Sequence, residues 1–162
     1  MKTLVSTWLV ALAMIVPTHA ELHITEFMAI NGGSLQDEDG DASDWIELFN
    51  SGPDSVDLDG YSLTDDETAL TKWSLPALQF DSGSYLLVFA SEKNRSVAGS
   101  ELHTNFKLAD GDYLALVDPD GTTVIAEFGP ATNPLPPQFE DVSYGLTQNG
   151  NRTPSVLIDA NP

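Results

Sequence analysis

The chain has 162 residues, enough for one domain of ordinary size, and 41% of them are hydrophobic. It holds no cysteine, which excludes disulfides, thiol metal ligands, a thiol nucleophile and a lipid anchor on cysteine. Twenty-five acidic residues against six basic ones give a formal net charge of −19, and such a surface repels phosphate backbones, because nucleic-acid affinity rests on Lys and Arg releasing counterions.

In chain order, the first segment reads as an export signal over residues 1–20. Lys2 supplies a positive start, Leu4 to Val16 is a mostly apolar run, Pro17 breaks it, and Thr18 and Ala20 are small residues of the kind a signal peptidase reads. The run is short for a bilayer span, which needs about 20 apolar residues, and no other stretch is long enough. The expectation is cleavage after Ala20 and a secreted or cell-surface product with no membrane span.

Short strands punctuated by turn residues follow. Glu21 to Ala29 alternates, with Leu22, Ile24 and Met28 on one face. Asn31-Gly32-Gly33-Ser34 opens an acidic loop that runs to Asp44. Trp45 to Asn50 carries large residues on both faces, which predicts that both are covered. After a turn at Ser51-Gly52-Pro53-Asp54, the apolar set changes phase beyond Gly60, which predicts a bulge there. Leu70 to Leu75 is the next strand, closed by Pro76. Tyr85 to Ala90 is the most apolar run beyond the leader and is placed at the centre of a sheet. Ser91 to Ser100 reads as a polar loop and His103 to Leu108 as a shorter strand. Tyr113 to Val117 and Thr123 to Phe128 flank the hairpin turn Asp118-Pro119-Asp120-Gly121.

Turn signals every 8–12 residues or so, with about seven to nine strands over 22–128 and no sustained helical period, predict an all-β sandwich. Ile46, Leu48, Leu87 and Leu116 are its expected core. From Pro130 the character changes: six of the last 33 residues are proline. Residues 130–162 read as a Pro-rich tail or linker, truncated from a longer protein or ended by an early stop. The stretches around Pro136 to Phe139 and Val142 to Gly145 are expected to lie back along the sandwich.

Several blocks together resemble the lamin tail domain family. They are Ile24-Thr25-Glu26-Phe27-Met28-Ala29, Asp44-Trp45-Ile46-Glu47-Leu48-Phe49-Asn50, and Val56-Asp57-Leu58-Asp59-Gly60-Tyr61-Ser62-Leu63-Thr64-Asp65. Trp73-Ser74-Leu75-Pro76, Phe106-Lys107-Leu108 and Tyr113-Leu114-Ala115-Leu116-Val117 follow in order. The segments at 103–108 and 137–145 are similar to those of an exported bacterial branch of that family. The resemblance implies an immunoglobulin-like antiparallel β-sandwich over residues 21–129, with a binding or adaptor role toward a protein or glycan at the cell surface. It implies no catalytic residues. The alternatives are a calcium-stabilised adhesion or structural domain, and an ancillary domain of a larger secreted hydrolase or nuclease.

The sharpest local chemistry is Asp37-Glu38-Asp39-Gly40-Asp41, followed by Asp44. Hard cations take several oxygen ligands on a flexible loop, so Asp37, Asp39 and Asp41 are calcium candidates. The match to the known calcium loop is poor, because Ala42 and Leu48 stand where that pattern wants Gly and Glu. The competing reading is a solvated acidic loop. No Lys or Arg lies between Asp37 and Glu67, so without metal the carboxylates are expected to relieve their repulsion by spreading into solvent. His23 and His103 read as strand-edge residues rather than bases or zinc ligands. Trp45 and Tyr85 read as core, and Trp73 as the partly exposed aromatic of any sugar-stacking face. No catalytic set, no cofactor and no nucleic-acid partner are expected.

Overall fold

The structure, a computed structural model, describes residues 22–146 and the strand Pro154–Leu157. The expected leader lies outside the described residues. Twelve strands follow in order: β1 (Leu22–Met28), β2 (Asp44–Asn50), β3 (Val56–Asp57), β4 (Ser62–Thr64), β5 (Trp73–Ser74), β6 (Gln79–Phe80), β7 (Tyr85–Ala90), β8 (Leu102–His103), β9 (Leu114–Val117), β10 (Val124–Phe128), β11 (Ser143–Leu146) and β12 (Pro154–Leu157). They form a six-stranded sheet, β12-β11-β1-β2-β7-β8, a four-stranded sheet, β10-β9-β4-β5, and the small pair β3-β6. Pairing is antiparallel except between β7 and β8. The fold is the all-β, immunoglobulin-like sandwich the sequence predicts. Ten strands rather than seven to nine lie between residues 22 and 128, because four of them are two-residue ladders.

The core lies between the two larger sheets. Ile24, Phe27, Ile46, Leu48 and Val88 face Leu63, Leu114, Leu116 and Phe128, all buried in one cluster. The Phe27 and Phe128 rings meet at 5.1 Å across the sheets. Each such side chain contributes about 2–3 kcal/mol by leaving water. One detail of β1 departs from simple alternation. A bulge between Ile24 and Glu26 inserts an extra residue at Thr25, so the inward set is Leu22, Ile24 and Phe27 rather than Leu22, Ile24 and Met28. Met28 turns to the outer face of the six-stranded sheet, in register with Trp45. The bulge expected at Gly60 is instead a tight turn: Tyr61 N donates to Leu58 O at 3.1 Å, with Gly60 at φ 85°.

The tail reading is narrowed as well. β11 adds to β1 and β12 to β11, so these segments extend the six-stranded sheet. Tyr144 is buried, its ring is 6.1 Å from that of Phe27, and its hydroxyl donates to Pro137 O at 2.7 Å. Gly145 sits against the Thr25 bulge so closely that a Cβ there would strike the Thr25 carbonyl oxygen, which is why this strand carries glycine at its contact with β1.

Candidate functional site

The outer face of the six-stranded sheet is built in three rungs, each set by strand register. Met28, Trp45, Phe89 and His103 make the first, Glu26, Glu47 and Leu87 the second, and His23, Phe49 and Tyr85 the third. The first rung is roofed by the acidic loop. Phe89 and His103 are fully buried, their rings stacked at 5.3 Å, and Ser34 Oγ reaches Met28 Sδ at 3.4 Å.

The loop is closed by its own side chains and by two cations from distant sequence. Asp37 is buried. Its Oδ1 accepts from the amides of Asp39 and Asp41, and its Oδ2 from Ser43 Oγ and Lys93 Nζ. Lys93 Nζ lies 2.7 Å from Asp37, 2.7 Å from Asp39 and 2.9 Å from Asp41. Arg95 pairs with Glu38 and Asp39, both at 2.8 Å. The three calcium candidates therefore converge on one point, and an ammonium group stands there. The carboxylates do not relieve their repulsion by spreading into solvent, because Lys93 and Arg95 come from the segment between β7 and β8 to neutralise it. Burial alone would raise the Asp37 pKa, but the bonds from Lys93, Ser43 and the loop amides outweigh it and hold that carboxyl well below the usual range. Burial would likewise lower the Lys93 pKa, and its three carboxylate partners raise it instead.

The 91–95 segment is shaped for this task. Glu92 and Asn94, either side of Lys93, both adopt positive φ, at 64° and 51°, a conformation non-glycine residues hold only where the surroundings impose it. Backbone bonds from Glu92 N to Phe106 O, Asn94 N to Thr104 O and Arg95 N to His103 O impose it. At the far end of the loop, Asp44 Oδ1 accepts from Asn31 N at 3.1 Å. Burial there pushes the Asp44 pKa up to about 6, against the opposing effect of its backbone donors and Lys107.

His103 lies on the edge strand β8, as the sequence predicts, but not at the surface. It is fully buried, its Nδ1 bonded to Ser91 Oγ at 2.9 Å. Among the described residues its Nε2 has no hydrogen-bond partner, and it lies 3.8 Å from Glu101 Oε2. Burial lowers the pKa of this imidazole, and the nearby Asp37 opposes the shift. The signal in the sequence was the spacing Glu101-x-His103, which in an extended chain puts both side chains on one face.

The aromatic expectations are reversed. Trp73 is buried at 3% exposure, while Tyr85 is 62% exposed and Leu87, expected in the core, is 36% exposed. β7 lies one strand from the sheet edge, and beyond the roofed Phe89 its outward side chains, Leu87 and Tyr85, have no second layer over them among the described residues. Tyr85 instead stacks on Phe49, centroids 4.5 Å apart. Trp45, Phe49 and His23 are half-buried on the same face. Ile46, Leu48 and Leu116 are buried as expected.

No curated protein and no solved structure matches the chain. The Lamin Tail Domain family model matches residues 16–131, a span that holds β1 to β10 and both faces of the core. With most of its length matched, the chain belongs to the Lamin Tail Domain family.

Proposed function

We propose that the protein is a non-catalytic binding or adaptor module, exported and displayed at the cell surface, that engages a protein or glycan through the bare end of its six-stranded sheet. The observation that carries this reading is the stacked Phe49–Tyr85 pair beside Leu87. Single exposed apolar residues need no explanation, but these are contiguous on one face. An aromatic ring held by stacking is a rigid anchor, with an apolar face for contact and a hydroxyl for hydrogen bonding. The lamin tail family is immunoglobulin-like and non-catalytic, which supports a role in binding. The net charge of −19 argues against a nucleic-acid partner. Export rests on the sequence of residues 1–20, and N-terminal sequencing of secreted protein is expected to begin at Glu21.

The test is binding of the mature protein to a glycan array and, by flow cytometry, to intact cells of its source. A Tyr85→Ala/Leu87→Ala variant is expected to lose binding at least about tenfold while keeping its fold, as removal of a central anchor does. Undiminished binding by the folded variant overturns the assignment of this face.

A second reading, a calcium-stabilised structural domain, is favoured by the convergence of Asp37, Asp39 and Asp41. Calcium would have to displace Lys93 from the point it holds. A melting midpoint that rises with calcium and falls with chelator supports this reading, because a ligand that binds only the native state stabilises it.

A further inference from the structure

Next to the Lys93 cluster, but distinct from it, Glu38, Glu101 and His103 bring one imidazole nitrogen and two carboxylates within 4.8 Å of one another. The carboxylates alone would signify little, since acidic groups on this surface are common. The imidazole is the independent observation. Its Nε2 is wholly buried, lacks a hydrogen-bond partner among the described residues, and faces the Glu101 carboxylate from 3.8 Å, too far for a hydrogen bond. If Nδ1 donates to Ser91 Oγ, Nε2 presents a bare lone pair toward a carboxylate, an arrangement that only a cation between them makes favourable. A ligating histidine whose other ring nitrogen is fixed by a neighbour is the usual arrangement at metal centres, and Ser91 Oγ at 2.9 Å is such a neighbour.

We infer that Glu38, Glu101 and His103 form a binding site for a divalent transition metal of the zinc class, which ties the acidic loop to β8. One imidazole and two carboxylates suit zinc, and three protein ligands leave a fourth position for water. Zinc–ligand distances of about 2.0–2.2 Å require the carboxylates to close in slightly. Both side chains have solvent-facing room to do so, being 44% and 39% exposed for Glu38 and Glu101. The Glu38 amide already donates to Glu101 Oε2 at 2.6 Å, so loop and strand are in register before any ion arrives. Arg95 holds Glu38 Oε1 at 2.8 Å, leaving the other oxygen for the metal. Among the described residues, five carboxylates in this region, Asp37, Glu38, Asp39, Asp41 and Glu101, face two cations, Lys93 and Arg95, so a divalent ion enters an excess of negative charge. The site differs from the calcium candidate in its ligands and in the ion it prefers.

The experiment is titration of the purified protein with zinc chloride and, for a spectroscopic signature, with cobalt(II) chloride, following melting midpoint and visible absorption. Zinc is expected to bind one-to-one with a Kd below about 100 µM, to raise the midpoint, and cobalt to develop ligand-field bands. Glu101→Gln and Glu38→Gln, both at exposed side chains, should fold normally and each weaken zinc binding at least about tenfold, no less than the loss seen when a supporting group is removed. Asp39→Asn/Asp41→Asn, which removes nearby charge but no ligand, should weaken zinc binding less than either glutamate variant does. No midpoint shift and no cobalt spectrum at about 1 mM metal overturns the site, leaving His103 Nε2 as a buried N–H facing Glu101. Binding that survives both glutamate variants, or that is lost with the aspartate pair instead, overturns it equally.

Discussion

The two ends of one sheet face behave in opposite ways. At the first rung, Met28, Phe89 and His103 are sealed beneath the acidic loop, and Trp45 is half-buried beside them. At the third rung, Phe49 and Tyr85 occupy the same strands, each four residues from its first-rung counterpart, and Tyr85 is open to solvent. Strand sequence does not make this difference, for both rungs are aromatic. What differs is a covering segment, and the cover holds only because Lys93 and Arg95 reach it. Acidic residues alone would not stay folded against an apolar rung, since like charges this close repel and gain by exposure. The cations turn a repelling loop into a lid that also places Glu38 beside Glu101.

The largest effect should come from removing the central cation. Lys93→Met keeps the apolar stem and deletes the charge, leaving Asp37 buried with no counterion. A loss of about 2 kcal/mol is expected, less than for a wholly buried pair because the lysine reaches some solvent, read as a lower urea midpoint with unchanged slope. The variant also sharpens the calcium question. With Nζ gone, Asp37, Asp39 and Asp41 surround an open position, and added calcium should restore much of the lost stability. If calcium restores nothing, these three residues are a lysine cradle and no calcium site.

Much of the sandwich was legible from residues 22 to 128, because short alternating runs between turn residues carry their own evidence. Trp45 to Asn50, Tyr85 to Ala90 and the hairpin around Gly121 fall where periodicity puts them. The exceptions have physical causes. Thr25 is an inserted residue, and nothing in single-residue propensity distinguishes a bulge from alternation, so Phe27 and Met28 exchanged faces. Sequence places Leu87 in the core because an apolar residue in an apolar strand looks the same whether or not a second layer covers it. The site was half legible. Asp37, Asp39 and Asp41 announced themselves by spacing, but Lys93 lies 56 residues from Asp37, and the backbone bonds of 92–95 to residues 103–106 hold it in reach of them. His103 and Glu101 needed that same long-range pairing before they could be seen beside Glu38.

The loop's two ends offer a smaller test of the same comparison, through pH. The Asp37 carboxyl is held low, so its contribution is present at neutral pH and is lost only in strong acid. Asp44 is the reverse. Its folded pKa is about 6 against an ordinary 3.8, so between those values the native state keeps a proton the unfolded chain has released. Stability from Asp44 is thus fully present below 3.8 and is lost as pH rises through about 6. Asp44→Asn, which retains an oxygen acceptor for Asn31 N, should stabilise the protein by up to about 1 kcal/mol at pH 7.5, a value reduced for partial solvent access. The gain should fade by pH 5. A carboxyl NMR titration of Asp44 with a midpoint near 4 would contradict this account of the loop's outer end.

The smallest effect belongs to the bare end, and its smallness is the point. Leu87 lies opposite Glu47 in the second rung, with no layer above it among the described residues. Leu87→Thr keeps a side chain suited to a strand and removes apolar surface that water already reaches. Stability should change by no more than about 0.5 kcal/mol, as for ordinary surface positions, with melting midpoint and urea slope unaltered. A loss above about 1.5 kcal/mol would mean that the position is packed in solution, as by association of two copies through this face, and sedimentation velocity would then show a species heavier than the monomer. A neutral result would leave the apolar surface of Leu87 and Tyr85 without a role in folding. Such a surface on a strongly charged domain is what the proposed contact with a partner requires.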